Sequence, residues 1–362
     1  MPGRELAVRA LELVGGPGWR PLSLDPLRTL LALTALITPL GVLVAGWSLR
    51  GQQLLDLGWL TMGFGLITVV LGALQLGSGT AGFTLFGARE PGAYLLGTFA
   101  NRNSTALFLG FALGLAALLP APKPHPAVLP ARLAACALLM VAIILTKSRT
   151  GLVLTLIPLG LASLRIGFWA IQRRSGARSP ARASGLAVLA VIGAIALMGA
   201  GTASLFVLAP GRVSETMERF QAKDDPRRFI WDDATYAADR YWPVGAGTGT
   251  FDEIFQVDES LENMTMRRAG RAHNDYIELA IESGVSGLAV AGFWLLLLGW
   301  LSWRVRHSPQ RWAAWTGSGF LLAIALQSIT DYPLRNQTIL AFAGFALLLL
   351  ARIAADEVRS KR

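Results

Sequence analysis

The sequence has 362 residues, of which 53% are hydrophobic and 15% are charged, and its mean hydropathy is +0.49. A soluble protein carries charge on about a quarter of its residues, so this composition excludes an ordinary soluble enzyme. A net charge of +10 would suggest nucleic-acid binding in a soluble chain. Here most basic residues lie in short connections between apolar blocks, which is the positive-inside pattern of membrane proteins. We therefore expect membrane lipids, and no nucleic acid, among the partners.

Apolar blocks follow one another along the chain, each close to the roughly 17–25 residues that cross a bilayer as a helix. They are 27–48, 55–76, 104–121, 131–147, 151–171, 184–209, 284–301, 312–330 and 336–352. In lipid each block must be helical, because only a helix satisfies its own backbone groups. The sequence predicts an all-α polytopic membrane protein with about nine transmembrane helices, on the length criterion alone.

The basic connections predict the orientation of these helices. The four arginines of connection 172–183 assign it to the cytoplasm. Alternation then places the connections 121–130 and 302–311, together with the basic tail, on the same side. It places the N-terminus outside, although segment 1–26 is basic. Either an odd number of further N-terminal spans precedes this sequence, or the first block does not cross.

The predicted organisation alternates membrane and water-exposed parts. It comprises an N-terminal segment 1–26, transmembrane helices 27–209, an outward-facing loop 210–272, transmembrane helices 273–353 and a cytoplasmic tail 354–362.

The loop 210–272 is the one long polar segment, and it is too rich in aromatic residues for plain disorder. Arg228, Trp231 and Thr235 recur at helical spacing, so we predict a compact, partly helical cap. The glycine run GAGTG at 245–249 lacks the strand and helix context of a dinucleotide fingerprint and the lysine of a P-loop. It indicates a tight turn where the backbone approaches another segment.

Arg149 stands in KSRTG at the outer end of a predicted membrane helix. A charge at membrane depth is costly and usually functional. The alternative is an interfacial arginine whose side chain reaches to the membrane surface.

Arg227 and Arg228 are adjacent at the start of the predicted loop helix. Free backbone N–H groups and two guanidinium groups at a helix N-terminus favour a phosphate site. The alternative is an ion pair with the neighbouring aspartates Asp224, Asp225 or Asp232.

His273 stands where the loop meets a membrane helix, and Arg267, Arg268 and Arg271 precede it. A histidine moves a proton near neutral pH, so His273 is a candidate general base. The alternative is a helix-capping or interfacial residue.

Other chemistries have little support in the sequence. No set of His, Cys, Asp and Glu has zinc spacing, and no GxSxG-like nucleophile motif is present. The paired acids at 224–225 and 232–233 are more typical of a solvated helix surface than of a cation site. We therefore predict no metal and no cofactor.

Four motifs occur in a characteristic order: SRTG, R-x-x-W, GxGxGxF and HN-x9-G-x-x-G, the last formed by His273, Asn274, Gly284 and Gly287. In this order they resemble the superfamily of O-antigen ligases and Wzy-type O-antigen polymerases. DYPLRN at 331–336 resembles the closing segment of that family.

The resemblance implies a glycosyltransferase C-like fold in the bacterial inner membrane, with the active site facing the periplasm. It implies a glycan donor linked to undecaprenyl pyrophosphate. The acceptor is lipid A–core in a ligase and a second lipid-linked glycan in a polymerase. Transfer is expected to be metal-independent, with inversion at the sugar. Family members usually have further N-terminal spans, as the orientation argument also requires.

Carried over motif by motif, the resemblance assigns catalytic roles to His273, Arg228 and Arg149. It assigns binding of pyrophosphate or glycan to Arg227, Asn274, Arg271 and Arg335. A ligase is the preferred interpretation; a polymerase and a non-catalytic transporter of lipid-linked glycan remain as alternatives.

Overall fold

The structure is a computed structural model, and it describes residues 2–16, 21–78, 85, 93–122, 125–176, 227–264 and 268–359. Within these ranges it is helical and contains no β-strand, which confirms the predicted all-α class. The helices are α1 (Pro2–Leu13), α2 (Pro26–Thr34), α3 (Ile37–Trp47), α4 (Gly51–Ser78), α5 (Arg102–Leu118), α6 (Val128–Leu145), α7 (Arg149–Leu154), α8 (Leu156–Gly176), α9 (Arg227–Tyr241), α10 (Phe251–Asp258), α11 (Asp275–Arg304), α12 (Arg311–Gln327), a 3-10 turn (Pro333–Arg335) and α13 (Gln337–Arg359).

Short polar side chains determine where several of these helices begin. Asn101 accepts a hydrogen bond from the Asn103 N–H at 2.8 Å before α5, and Ser148 accepts one from the Gly151 N–H at 3.1 Å before α7. Asp25 has the same role before α2. These caps satisfy N–H groups that have no partner inside the helix, and each contributes about 1 kcal/mol.

In the described part of the chain, 6 helical segments are long and apolar enough to cross a membrane. They are Pro26–Trp47, Gly51–Ser78, Val128–Leu145, Arg149–Ala170, Asp275–Arg304 and Gln337–Val358. Two predicted blocks form shorter helices of 17 residues, α5 and α12. The block 184–209 and residues 210–226 of the loop lie outside the described residues. The multi-span architecture is confirmed, whereas the count of nine spans is not.

The chain divides into two compact units. The first comprises Met1–Val42, Lys223–Trp300 and Ile324–Gly344, and the second comprises Leu43–Ala222, Leu301–Ala323 and Phe345–Arg362.

The second unit is built around α5, which is buried along almost its whole length. Helices α4, α6 and α8 pack against it. A Cβ added at Gly65 would lie 2.5 Å from the Ala112 Cβ, so glycine allows α4 to approach α5 closely. Phe111 of α5 stacks on Phe320 of α12, with ring centroids 4.2 Å apart.

The first unit has its own apolar core, formed by the loop helices α9 and α10 and the first turns of α11. Phe251 and Phe255 of α10 are buried and stack on each other, with centroids 5.2 Å apart. The core residues are Ala234, Ala237, Tyr241, Ala246, Phe251, Ile254, Phe255, Ala272 and Ile281. The described part of the loop is therefore packed and partly helical.

Candidate active site

His273 precedes α11, and its backbone has a positive φ of 53°. This left-handed conformation costs a residue other than glycine roughly 1–2 kcal/mol, so its neighbours must hold it. The helix cap is Asn274, whose Oδ1 accepts hydrogen bonds from the N–H groups of Tyr276 and Ile277 at 2.9 and 3.1 Å. The alternative in which His273 caps the helix is therefore wrong, and its imidazole takes no part in capping.

The residue before His273 is tied to two helices. The Ala272 N–H donates to Glu278 Oε1 of α11 at 3.0 Å. The Ala272 carbonyl accepts a hydrogen bond from the Trp231 indole N–H of α9 at 2.8 Å. Because both backbone groups of the buried Ala272 are hydrogen-bonded, the backbone conformation that leads into His273 is tightly constrained.

We predict that Trp231→Phe destabilises the protein. The change keeps an aromatic ring but leaves the buried Ala272 carbonyl without its donor, which costs roughly 1–3 kcal/mol. The measurement is the thermal unfolding midpoint of the purified protein in detergent. Trp294→Phe is the matched control, because Trp294 is exposed on α11. Equal midpoints for the two variants would show that the hydrogen bond contributes nothing.

Two residues of the segment 331–336 contact the imidazole of His273. Its Nδ1 lies 3.5 Å from Oδ1 of Asp331, and its ring centroid lies 4.9 Å from that of Tyr332. Asp331 is only 2% exposed, while the His273 side chain is 35% exposed. A buried carboxylate beside one nitrogen of an accessible imidazole can orient the ring. This arrangement suits a general base.

Charges from two arginines act on the Tyr332 hydroxyl. Burial raises the pKa of Tyr332 above its ordinary value and Asp331 raises it further, while the positive charges of Arg271 and Arg227 oppose the increase. Arg227 therefore lies within electrostatic reach of the ring that contacts His273. Adjacent residues of a helix point about 100° apart, and the neighbouring Arg228 is exposed. Arg227 is half-buried, and the roles of Arg227 and Arg228 both stay predictions.

Arg271, Arg335 and Asn274 already have protein partners. Glu278 Oε2 lies 3.2 Å from Nη1 of Arg271 and 3.0 Å from Nη2 of Arg335. The Oδ1 atom of Asn274 is used in the helix cap. Contact of these three side chains with a substrate stays a prediction.

Three buried carboxylates share one face of α11: Asp275, Glu278 and Glu282 recur at helical spacing. Arg335 is their common cation. Burial lowers the pKa of Arg335, but the carboxylates of Glu282 and Glu278 raise it by more, so its pKa is above the ordinary value and the guanidinium stays charged.

Helix α11 is broken at Gly284, where φ is 55° and ψ is −139°. The N–H of Val285 leaves the helical pattern and donates to the carbonyl of Pro243 at 2.9 Å. A Cβ at Gly284 would overlap that same carbonyl oxygen. The break therefore requires glycine, and it joins α11 to the chain that follows α9.

The glycine run docks on the carbonyl groups that this break leaves open. The N–H groups of Ala246 and Gly247 donate to the carbonyls of Ile281 and Glu282, each at 2.8 Å. A Cβ at Gly245 would lie 2.5 Å from the Glu282 backbone oxygen. This confirms the predicted turn of close backbone approach, and the approached segment is α11.

Arg149 lies in the second unit and is half-buried at the first residue of α7. The preceding Ser148 donates to Oδ1 of Asn103 at 2.8 Å. Lys147 before it is 7% exposed and has a φ of 53°. Arg149 and His273 thus belong to different units.

Sequence reasoning did not single out Asp331 and Tyr332 as neighbours of His273, nor the pairing of Arg335 with Glu278. One signal was available. Three acids on one face of a predicted membrane helix require a cation, and DYPLRN offers an arginine. The contacts of His273 with Asp331 and Tyr332 join residues far apart in the chain, and no local sequence pattern indicates them.

A known protein family matches the part of the chain that contains the four motifs. Residues 134–292 match the family model described as O-antigen ligase, which confirms the resemblance to the O-antigen ligase superfamily. The matched segment contains Arg149, Arg227, Arg228 and His273, but not Asp331 or Arg335. No curated protein matches the chain. A chain of a solved structure described as "Structural coordination of polymerization and crosslinking by a peptidoglycan synthase complex" is 20% identical over 92% of this chain and 91% of its own, with a TM-score of 0.41.

Proposed function

From the O-antigen ligase match of residues 134–292, which supports a membrane enzyme of the ligase or polymerase type, we propose a specific activity. The protein transfers a glycan from undecaprenyl pyrophosphate to lipid A–core at the periplasmic face of the bacterial inner membrane. The observation that carries this proposal is the imidazole of His273 beside the buried Asp331, with Arg227 and Arg271 acting on the adjoining Tyr332.

The reaction balances with these groups alone. An acceptor hydroxyl oxygen attacks the anomeric carbon and forms the new glycosidic bond. The bond from that carbon to the phosphate oxygen breaks, and undecaprenyl pyrophosphate leaves with the electron pair. The hydroxyl proton passes to His273, whose imidazolium the Asp331 carboxylate stabilises. Attack opposite to the leaving group inverts the sugar.

Arginines take the role that a metal ion has in other transferases. Pyrophosphate gains negative charge as it leaves, and guanidinium groups bind phosphate oxygens through paired, charge-assisted hydrogen bonds. Preorganised cations at the position of a growing charge lower the barrier most in a site that excludes water. The proposal is therefore metal-independent transfer, with Arg227 as one such cation; the role of Arg149, which belongs to the second unit, stays a prediction.

We expect Arg227→Ala to reduce the transfer rate on the order of 100-fold, because one charge-stabilising contact is lost. Arg228→Ala, on the next residue of the same helix, is measured beside it, because the resemblance to the O-antigen ligase superfamily assigns the catalytic role to Arg228. Initial rates at saturating acceptor measure both. If Arg228→Ala lost more activity than Arg227→Ala, the catalytic arginine would be Arg228.

The function itself is tested by transfer with the purified protein. A synthetic undecaprenyl-pyrophosphate glycan is the donor, and lipid A–core and a second lipid-linked glycan are offered in turn, with and without EDTA. We expect transfer to lipid A–core that survives EDTA, is lost in His273→Ala and persists in His307→Ala. His307 is the matched control because it is exposed and belongs to the second unit.

Other outcomes of this experiment point to the alternatives. Transfer to the second lipid-linked glycan would identify a polymerase. Loss of activity in EDTA, restored by a divalent cation, would refute the metal-free scheme. Donor binding without transfer to either acceptor would favour a transporter of lipid-linked glycan.

A further inference from the structure

Arg335 is enclosed by carboxylates. Its Nη2 lies 2.9 Å from Oε2 of Glu282 and 3.0 Å from Oε2 of Glu278, and its Nε lies 3.9 Å from Oδ1 of Asp275. The side chains of both glutamates are 0% exposed. Withdrawing the guanidinium toward a phosphate would take from both buried carboxylates the cation that they share and leave Glu278 to its pair with Arg271, which is unfavourable.

Each glutamate also reaches a second segment of the first unit. Glu278 Oε1 accepts the hydrogen bond from the Ala272 N–H, next to His273. Glu282 Oε1 accepts one from the Phe251 N–H at the start of α10, at 3.4 Å. Arg335 itself belongs to the segment 331–336, which contains Asp331 and Tyr332. The cluster therefore connects both chain segments that meet at the imidazole.

We propose that Arg335, Glu278 and Glu282 form a positioning network that fixes His273 against Asp331, and that Arg335 does not bind the pyrophosphate of the donor. The proposal rests on the proposed function for its catalytic consequence. The path is short: Arg335 holds the Glu278 carboxylate, this carboxylate holds Ala272, and Ala272 leads into the left-handed His273. A shift of about 1 Å in a reacting group can cost on the order of 100-fold in rate.

The kinetic test separates positioning from donor binding. We expect Arg335→Lys and Glu278→Gln each to lower kcat by about ten- to 100-fold, because the imidazole shifts. The donor Kd, measured directly, should stay within about threefold of the wild-type value, because a positioning residue does not contact the donor. The control is Arg240→Lys, which alters another buried arginine–carboxylate pair of the first unit, that of Arg240 with Asp258. It should leave kcat near the wild-type value. The proposal would be overturned if Arg335→Lys raised the donor Kd and retained kcat, or if Glu278→Gln lowered the donor Kd.

A second readout does not depend on activity. The chain has 3 histidines, so a protein with His125→Gln, His307→Gln and a histidine-free affinity tag gives a single imidazole NMR signal, that of His273. Glu278→Gln and Glu282→Gln, which keep the shape of the side chain, should shift or broaden this signal, and Arg240→Lys should not. An unchanged signal in both glutamine variants would refute the network, even if the proposed transfer activity failed in the wild type.

Discussion

Replacing Asp331 with asparagine is expected to lower the transfer rate by on the order of 100- to 10,000-fold. The carboxylate lies 3.5 Å from Nδ1 of His273 and is buried. It favours the tautomer with the proton on Nδ1, so that Nε2 can take the proton from the hydroxyl of the acceptor. It also stabilises the imidazolium that forms. An amide of the same shape stabilises no positive charge. The separation exceeds a hydrogen bond, but catalytic contacts often shorten when substrate binds.

The measurement for Asp331→Asn is kcat at saturating donor and acceptor. The control is Asp232→Asn, an exposed aspartate of α9 in the same unit. Because Asp331 acts through His273, the double variant with His273→Ala should be no slower than His273→Ala alone. Additive losses would mean that Asp331 acts on the substrate independently of His273.

The sequence predicted the parts of this fold that depend on local pattern. Hydropathy placed eight of the helical regions because apolar blocks in lipid have no other backbone solution. The GAGTG run predicted a close backbone approach because glycine is needed where a Cβ would clash. The approached segment could not be predicted, since the hydrogen bonds from Ala246 and Gly247 to α11 join residues far apart in the chain.

The candidate site depends on contacts of the same long-range kind. His273 was found from its motif, but its neighbours Asp331 and Tyr332 come from a segment two helices later, after α11 and α12. The choice between Arg227 and Arg228 shows a different limit. One position along a helix turns a side chain by about 100°, and no sequence pattern indicates which of two adjacent arginines faces the site.

Backbone strain marks two of the three motifs that carry predicted catalytic residues. Among the described residues, Lys147 and His273 are the non-glycine positions with positive φ, each at 53°. One stands in KSRTG two residues before Arg149, and the other is the candidate base itself. Such conformations persist only where the surroundings enforce them, and they concentrate at active sites. These two backbone conformations therefore point to the same two motifs without reference to the family.

Gly284→Ala is expected to destabilise the protein strongly. At φ 55° and ψ −139° an alanine backbone is strained by roughly 1–3 kcal/mol. The added Cβ would also overlap the Pro243 carbonyl oxygen, and such overpacking costs roughly 1–3 kcal/mol more. The sum is a large part of a total stability of about 5–15 kcal/mol.

The measurement for Gly284→Ala is the yield of monodisperse protein and its unfolding midpoint, followed by transfer activity. Gly292→Ala is the matched control on the same helix, since nothing lies within 4 Å of a Cβ added there. It should be neutral or stabilise by up to about 1 kcal/mol. If Gly284→Ala behaved like Gly292→Ala, the break would not be required. The Glu282 carbonyl would then be able to bond within the helix, and its contact with the Gly247 N–H would not depend on the break.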